Sequence, residues 1–131
     1  MKIIDLPVSQ DTPHQSRTLV DPRAIAKMLN RRHVTTHLIR LDPEAVTGNH
    51  VHRKTHEALM CVEGTVFVIL VDTGTKKEIG AKFFSTDCHQ LLIIEPGVAH
   101  VVKAHRAHAS VLVFKGSTPR SSDTFPYIIP T

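Results

Sequence analysis

Short β-type runs separated by turn residues fill residues 33 to 115, and this alternation constrains the fold more than any other feature of the chain. β-Branched residues recur in the runs, and Gly, Pro, Asn, Asp or Ser recur between them, as in DPEAVTGN, residues 42–49, which is predicted to form a turn. Seven runs are predicted strands: 33–41, 58–64, 65–72, 77–84, 89–95, 98–104 and 109–115. One helix is predicted at 22–32, with Asp21 as a possible N-cap and Pro22 in its first turn. This pattern predicts an all-β sandwich or small barrel with one short N-terminal helix, and not a parallel α/β sheet.

The chain has 131 residues, a length that predicts one domain over residues 1–131 with a single core. The strand-rich segment places that core at about 33–115. Residues 116–131 contain Pro119, Pro126 and Pro130 among apolar side chains, a composition typical of an extended tail that docks on the domain.

Composition excludes several partners. The chain is 41% hydrophobic and 21% charged without a long apolar run, and its first ten residues lack a signal core, so we expect a cytoplasmic protein with no membrane partner. The formal charge is +4, but Lys and Arg are scattered and form no long basic run, which argues against nucleic acid and favours a small anionic ligand. Cys61 and Cys88 are expected to be free thiols.

The segment TVFVILVD, residues 65–72, is apolar on both faces of a predicted strand. One face would pack inside the barrel, and the other would meet a second sheet or a second subunit. A homodimer is therefore expected.

Histidine is the most unusual component of the sequence. Ten are present, and residues 50–57, HVHRKTHE, hold three of them beside a glutamate. Because side chains alternate along a strand, His50 and His52 are expected to share one face, and a bend before Glu57 can bring its carboxylate back to them. His100 follows the turn at EPG. Three imidazoles and a carboxylate suit Zn²⁺, Fe²⁺, Mn²⁺, Ni²⁺ or Cu²⁺, but not Ca²⁺ or Mg²⁺.

These residues resemble the motifs of a known family. The run His50-x-His52-x4-Glu57-x6-Gly64 is similar to the first cupin motif, and PGVAH, ending at His100, resembles the core of the second. The resemblance covers roughly residues 38 to 115. It implies a cupin-type double-stranded β-helix, or jelly-roll barrel, and it implies that the matching residues are metal ligands: His50, His52, Glu57 and His100.

Three positions depart from the cupin pattern. Glu44, Glu95 and Ala104 stand where the pattern expects a glycine, a proline and an asparagine, although Gly48 and Pro96 lie close by. None of these departures removes a ligand. They affect the shape of the loops.

Within the cupins, residues 48–74 look most similar to the small cupins of bacterial surface-polysaccharide biosynthesis, which include sugar-nucleotide ketoisomerases and epimerases. The ketoisomerases typically have Gln at the position of Glu57, and their two histidines act as acid and base without metal. Glu57 and His100 together therefore favour the metal-binding branch, with Zn, Fe, Mn or Ni as the cofactor.

The resemblance implies an isomerase or epimerase that acts on a keto-sugar nucleotide. The metal would polarise the carbonyl and His37 would be a candidate base, while His50 and His52 would be catalytic in a metal-free enzyme. Arg40 and Arg53 are candidates for binding the phosphate or a carboxylate. Two other functions remain open: a metal-dependent dioxygenase, and a non-catalytic module that binds a sugar or small acid.

Overall fold

The computed structural model describes residues 1–116 and 123–131, so the predicted tail is described only in part, and Pro119 lies outside the described residues. Among the described residues the elements are β1 (Lys2–Asp5), β2 (Val8–Thr12), β3 (Gln15–Thr18), α1 (Pro22–Met28), β4 (Thr35–Leu41), β5 (Val46–His52), β6 (Glu57–Glu63), β7 (Thr65–Asp72), β8 (Lys77–Ser85), β9 (Gln90–Ile94), β10 (Val98–Ala104), β11 (Ala109–Lys115) and β12 (Thr124–Pro126). No helix in these two ranges combines the length and apolar character that a membrane crossing needs.

Two five-stranded sheets form the body of the fold. Strand order is β1-β9-β6-β11-β4 in the first and β12-β5-β10-β7-β8 in the second, and β2 and β3 form a separate hairpin. All pairings in the two large sheets are antiparallel. The predicted jelly-roll architecture is confirmed, and all seven predicted strands are present with ends shifted by at most two residues.

The prediction was wrong for β5. Residues 42–49 look like a turn because they combine Pro, Gly and Asn, yet Val46–His52 is a strand. Gly48 and Asn49 have φ of 95° and 57°, and the register between β5 and β10 shifts beside them, so the turn-type residues form a bulge within a strand. Glu44, where the cupin pattern expects glycine, also has a positive φ, 66°. This backbone conformation explains why glycine suits that position.

The predicted helix is shorter than expected. The Asp21 carboxylate accepts a hydrogen bond from the Arg23 amide at 3.0 Å, which confirms the N-cap. The helix ends at Met28, because Asn30 takes a left-handed conformation with φ of 57°. The strands β1, β2 and β3 were not predicted, since none combines a long apolar run with clear turn residues on both sides.

The main core lies between the two large sheets, where inward-facing apolar side chains meet. The helix covers the outer face of the first sheet, with Ile25 and Leu29 packed against it. The last residues of the chain cover the outer face of the second sheet, where Phe125, Tyr127 and Ile129 pack against an apolar cluster that includes Ile69. The outer face of β7, on which the dimer prediction rested, is thus packed against this chain's own tail.

Candidate metal centre

Neighbouring strands bring the four predicted ligands together. His50 and His52 project from β5, and His100 lies opposite His50 on the paired strand β10. Glu57 begins β6 in the facing sheet. The cluster therefore joins the two sheets at one end of the barrel, and each residue offers a ligand atom within 4.8 Å of the others.

The three imidazoles are packed against one another. Ring centroids are 4.7 Å apart for His50 and His52, 4.5 Å for His50 and His100, and 5.8 Å for His52 and His100. The shared face predicted for His50 and His52 is therefore present. Exposed fractions are only 3% for His52, 3% for Glu57 and 4% for His100, so water cannot solvate these polar groups well.

The contacts between these groups fit a bound ion. Nε2 of His52 lies 2.6 Å from Oε1 of Glu57, yet neither atom has a hydrogen-bond partner of acceptable geometry among the described residues. Nδ1 of His100 is likewise buried without a partner there. Buried polar atoms normally have partners, and a divalent ion would supply one for His52 and Glu57. Ligand bonds of about 2.0–2.2 Å require the ligand atoms to lie within about 4.4 Å of one another, so only a small side-chain adjustment is needed.

Burial and charge set the protonation of the cluster. Burial lowers the pKa of His50, and the neighbouring His52 lowers it further. Burial likewise lowers the pKa of His100 to about 4. Burial would raise the pKa of Glu57, but the contact with His52 and the charges of His100 and Lys115 outweigh it and lower the pKa to about 2. A neutral His100 and an ionised Glu57 are the forms that bind metal.

Residues 123 and 124 contact Nδ1 of His52, the ring nitrogen on the side away from Glu57. Thr124 Oγ1 lies 3.1 Å from Nδ1 of His52, and Asp123 Oδ1 lies 3.7 Å from the same nitrogen. If Nε2 of His52 bound an ion through its lone pair, Nδ1 would carry the proton and donate a hydrogen bond to Oγ1 of Thr124. Asp123 is itself fixed, because its Oδ2 accepts hydrogen bonds from the Lys54 amide and the Thr55 hydroxyl. Such partners orient metal-binding histidines.

A cavity of about 230 Å³ opens beside the cluster. Its walls are largely apolar, and its polar lining consists of His37, Thr47, His50, Glu57, His100 and Lys115. His37 lies on the exposed part of this lining, a position consistent with its prediction as a candidate base. His52 lies deeper and does not line the cavity among the described residues.

The structure places Arg40 and Arg53 apart from the cavity lining that it describes. Arg40 follows Ile39 on β4, and successive side chains of a strand point to opposite faces, so the side chain of Arg40 points outward. Its Nε lies 3.9 Å from the Glu63 carboxylate. The guanidinium of Arg53 lies 4.0 Å from the centre of the Phe125 ring. Such surface placement is usual for long basic side chains, and phosphate binding by Arg40 or Arg53 stays a prediction.

Lys115 was missed by the sequence analysis. Its Nζ lies 3.6 Å from Glu57 Oε1, and it lines the cavity. The alternation of side chains along a strand could have indicated that Lys115 faces the interior, because Val111 and Val113 are buried on the same face of β11. His56 is not part of the cluster found among the described residues.

The metal-free protein should lose stability as the pH falls from 6.5 to about 4. His100 has its ordinary pKa of 6.5 when unfolded and about 4 when folded, so between these values the unfolded state binds more protons and the free energy of unfolding rises with pH. The loss on acidification is about 3 kcal/mol. Glu57 acts with the same sign in a lower window, because its carboxylate contributes stability above pH 4.5 that disappears as the pH falls to about 2.

Urea denaturation in the presence of a chelator measures this dependence. The His100→Asn variant should show a flatter pH profile between 4 and 6.5, because asparagine does not titrate. An equal slope in the variant and the original protein would contradict the assignment.

Comparison with known proteins identifies a family relationship. Residues 10–127 match the model of a protein family described as Cupin. No curated protein sequence matches the chain significantly.

Several solved structures are similar in fold. The sugar 3,4-ketoisomerase QdtA from Thermoanaerobacterium thermosaccharolyticum, in complex with TDP, is 19% identical with a TM-score of 0.78, over 95% of this chain and 85% of that chain. The dTDP-4-dehydrorhamnose 3,5-epimerase from Bacillus anthracis strain Ames, with TDP and PPi bound, is 13% identical with a TM-score of 0.77, over 95% and 76%. The capsular polysaccharide assembling protein CapF from Staphylococcus aureus is 18% identical with a TM-score of 0.67, over 73% and 27%. At these identities the similarity establishes the fold alone.

Proposed function

This chain belongs to the cupin family, and on that premise we propose that it is a metal-dependent isomerase or epimerase that acts on a keto-sugar nucleotide. The observation that carries the proposal is the buried cluster of His50, His52, Glu57 and His100 beside a cavity. Similar structures with sugar-nucleotide chemistry support the choice of substrate class. A fold alone does not fix a substrate, so the site has to carry the argument.

The four clustered residues would hold Zn, Fe, Mn or Ni, and this set of ligands suits each of them. Such an ion polarises a carbonyl and stabilises the negative charge that develops on its oxygen. Burial keeps His50 and His100 unprotonated near neutral pH, since their pKa values are lowered. Both imidazoles can therefore serve as ligands without first losing a proton.

The cavity suits the sugar end of such a substrate. About 230 Å³ is smaller than most pockets for drug-sized ligands, so the sugar ring would enter while the nucleotide lies across the mouth. His37 lines the cavity and is exposed, and it is the candidate base for the proton next to the carbonyl. The apolar walls would exclude water from the reacting carbons.

A metal-free reaction is the second candidate, and one contact favours it. Nζ of Lys115 lies 3.6 Å from the Glu57 carboxylate, so the negative charge of Glu57 has a cationic neighbour without an ion. In that case His50, which lines the cavity and has a lowered pKa, would be the base.

Deuterium exchange separates these candidates. The protein is loaded with metal and incubated in D₂O with TDP-4-keto-6-deoxyglucose, the ligand of one ketoisomerase of similar fold. Removal of a proton next to the carbonyl should place deuterium there, and both chelation and His100→Ala should abolish the exchange. The matched control is His108→Ala, because His108 is an exposed histidine paired with Asp42.

Other outcomes reject the proposal in distinct ways. Full exchange after chelation would support the metal-free reaction. Oxygen uptake without a keto-sugar would indicate a dioxygenase. Ligand-induced stabilisation that survives mutation of His50 and His52 to Ala, with neither exchange nor uptake at any metal loading, would indicate a non-catalytic binding module.

A further inference from the structure

Lys115 is the only Lys or Arg that lines the cavity in the described part of the chain. The other polar lining groups are histidines, a threonine and the Glu57 carboxylate. The side chain of Lys115 is 32% exposed, and it reaches from the last residue of β11 toward the metal cluster. On its cavity side this cation has the Glu57 carboxylate as its anionic neighbour.

Metal binding would change the partner of Lys115. In the structure Nζ lies 3.6 Å from Glu57 Oε1, which is an ion pair longer than a hydrogen bond. Oε1 is also the atom nearest His52 Nε2, at 2.6 Å, so it points toward the cluster. A divalent ion at the cluster would take most of the negative charge of Glu57 and would leave Lys115 without a balancing charge.

We infer that Lys115 is a substrate-binding residue that takes a negatively charged oxygen of the ligand inside the cavity. The ligand class is an oxyanion, either a carboxylate or the enolate oxygen of a carbonyl compound. With metal bound, the inner end of the cavity carries net positive charge from the ion, Glu57 and Lys115 together, so an anionic oxygen restores the balance. This inference rests on the proposed function, because it concerns the same cavity and the same ion.

Two affinities measured on Lys115→Met test the inference, because we expect them to change in opposite directions. Lys115 repels a divalent ion from its ligand Glu57, so its removal should raise metal affinity roughly threefold or more. The same removal should weaken oxyanion binding, because a charge-assisted hydrogen bond to the anion is lost. A residue with a purely structural role would not move the two affinities in opposite directions.

Oxamate and oxamide are the probes, since they have nearly the same shape and only oxamate is charged. Calorimetry on the metal-loaded protein should show a preference for oxamate of about tenfold or more, the value of one hydrogen bond to a charged group. Lys115→Met should lose most of this preference, because only the charge of the ion then favours the anion, and Lys115→Arg should retain more of it. The matched control is Lys103→Met, because Lys103 is a half-buried lysine paired with Glu44 at 3.4 Å and lies outside this cavity.

The outcomes separate this inference from the proposed function. If Lys115→Met keeps the oxamate preference of the original protein, the inference is wrong, even when metal binds as expected. The metal-free protein is titrated with oxamate and oxamide in parallel. If the original protein binds no metal but Lys115→Met still loses oxamate, the metal-dependent function fails while the assignment of Lys115 stands.

Discussion

Glu57→Gln lowers the affinity for divalent metal at least about 100-fold, and we expect the fold to survive the change. Glu57 supplies the only carboxylate in the ligand cluster found among the described residues, and its side chain is almost fully buried. Gln has nearly the same shape but no charge, so an ion would lose a charged ligand in a site that water barely reaches. Competition titration with a chromophoric chelator measures the affinity.

The matched control is Glu63→Gln, the same chemical change on the same strand. The carboxylate of Glu63 is half exposed and accepts a hydrogen bond from the Ser110 hydroxyl, away from the ligands. Metal affinity should be unchanged in this variant. Equal affinities for Glu57→Gln and the original protein would remove Glu57 from the ligand set, and catalytic turnover by Glu57→Gln without metal would favour the metal-free reaction.

Gly48→Ala should destabilise the protein by about 3 kcal/mol or more and weaken metal binding as well. A Cβ at position 48 would lie 2.7 Å from the backbone oxygen of His100 and 3.2 Å from Cα of Val101. The φ of 95° adds strain for any residue other than glycine. The clash is with backbone, so β10 would have to move and would carry the imidazole of His100 away from the cluster.

Gly97→Ala isolates the backbone-strain part of this effect, so the difference between the two variants gives the steric part. Gly97 also has a positive φ, 81°, but a Cβ there meets nothing within 4 Å among the described residues. We expect a cost of about 1–2 kcal/mol from backbone strain alone. Urea denaturation of both variants measures the difference, and similar losses of stability would show that the predicted clash between Cβ at position 48 and the backbone of His100 adds no cost.

The sequence predicted the fold well where the pattern was strong. The run from Thr65 to Asp72 was predicted with both ends correct, because a long apolar segment lies between a glycine and a turn. The prediction failed at β5, where Gly48 and Asn49 signal a turn locally. Pairing with β10 outweighs that local signal, and only tertiary structure supplies the partner strand.

The clustered residues were predictable because they carry a recognisable spacing, and the structure brings His50, His52, Glu57 and His100 together. The supporting groups were not predictable. Thr124 contacts His52 across 72 positions of sequence, through a short strand whose pairing no local pattern reveals. Sequence patterns identify residues that share an element, whereas such contacts depend on which distant segments meet.

Elemental analysis of the purified protein, with His100→Ala as the comparison, tests the central claim most directly. We predict about one transition-metal ion per chain in the original protein and a large loss in the variant, since His100 is a buried member of the proposed ligand cluster. A chain that stays metal-free after incubation with Zn, Fe, Mn and Ni, or a variant that retains the full metal content, would contradict the account.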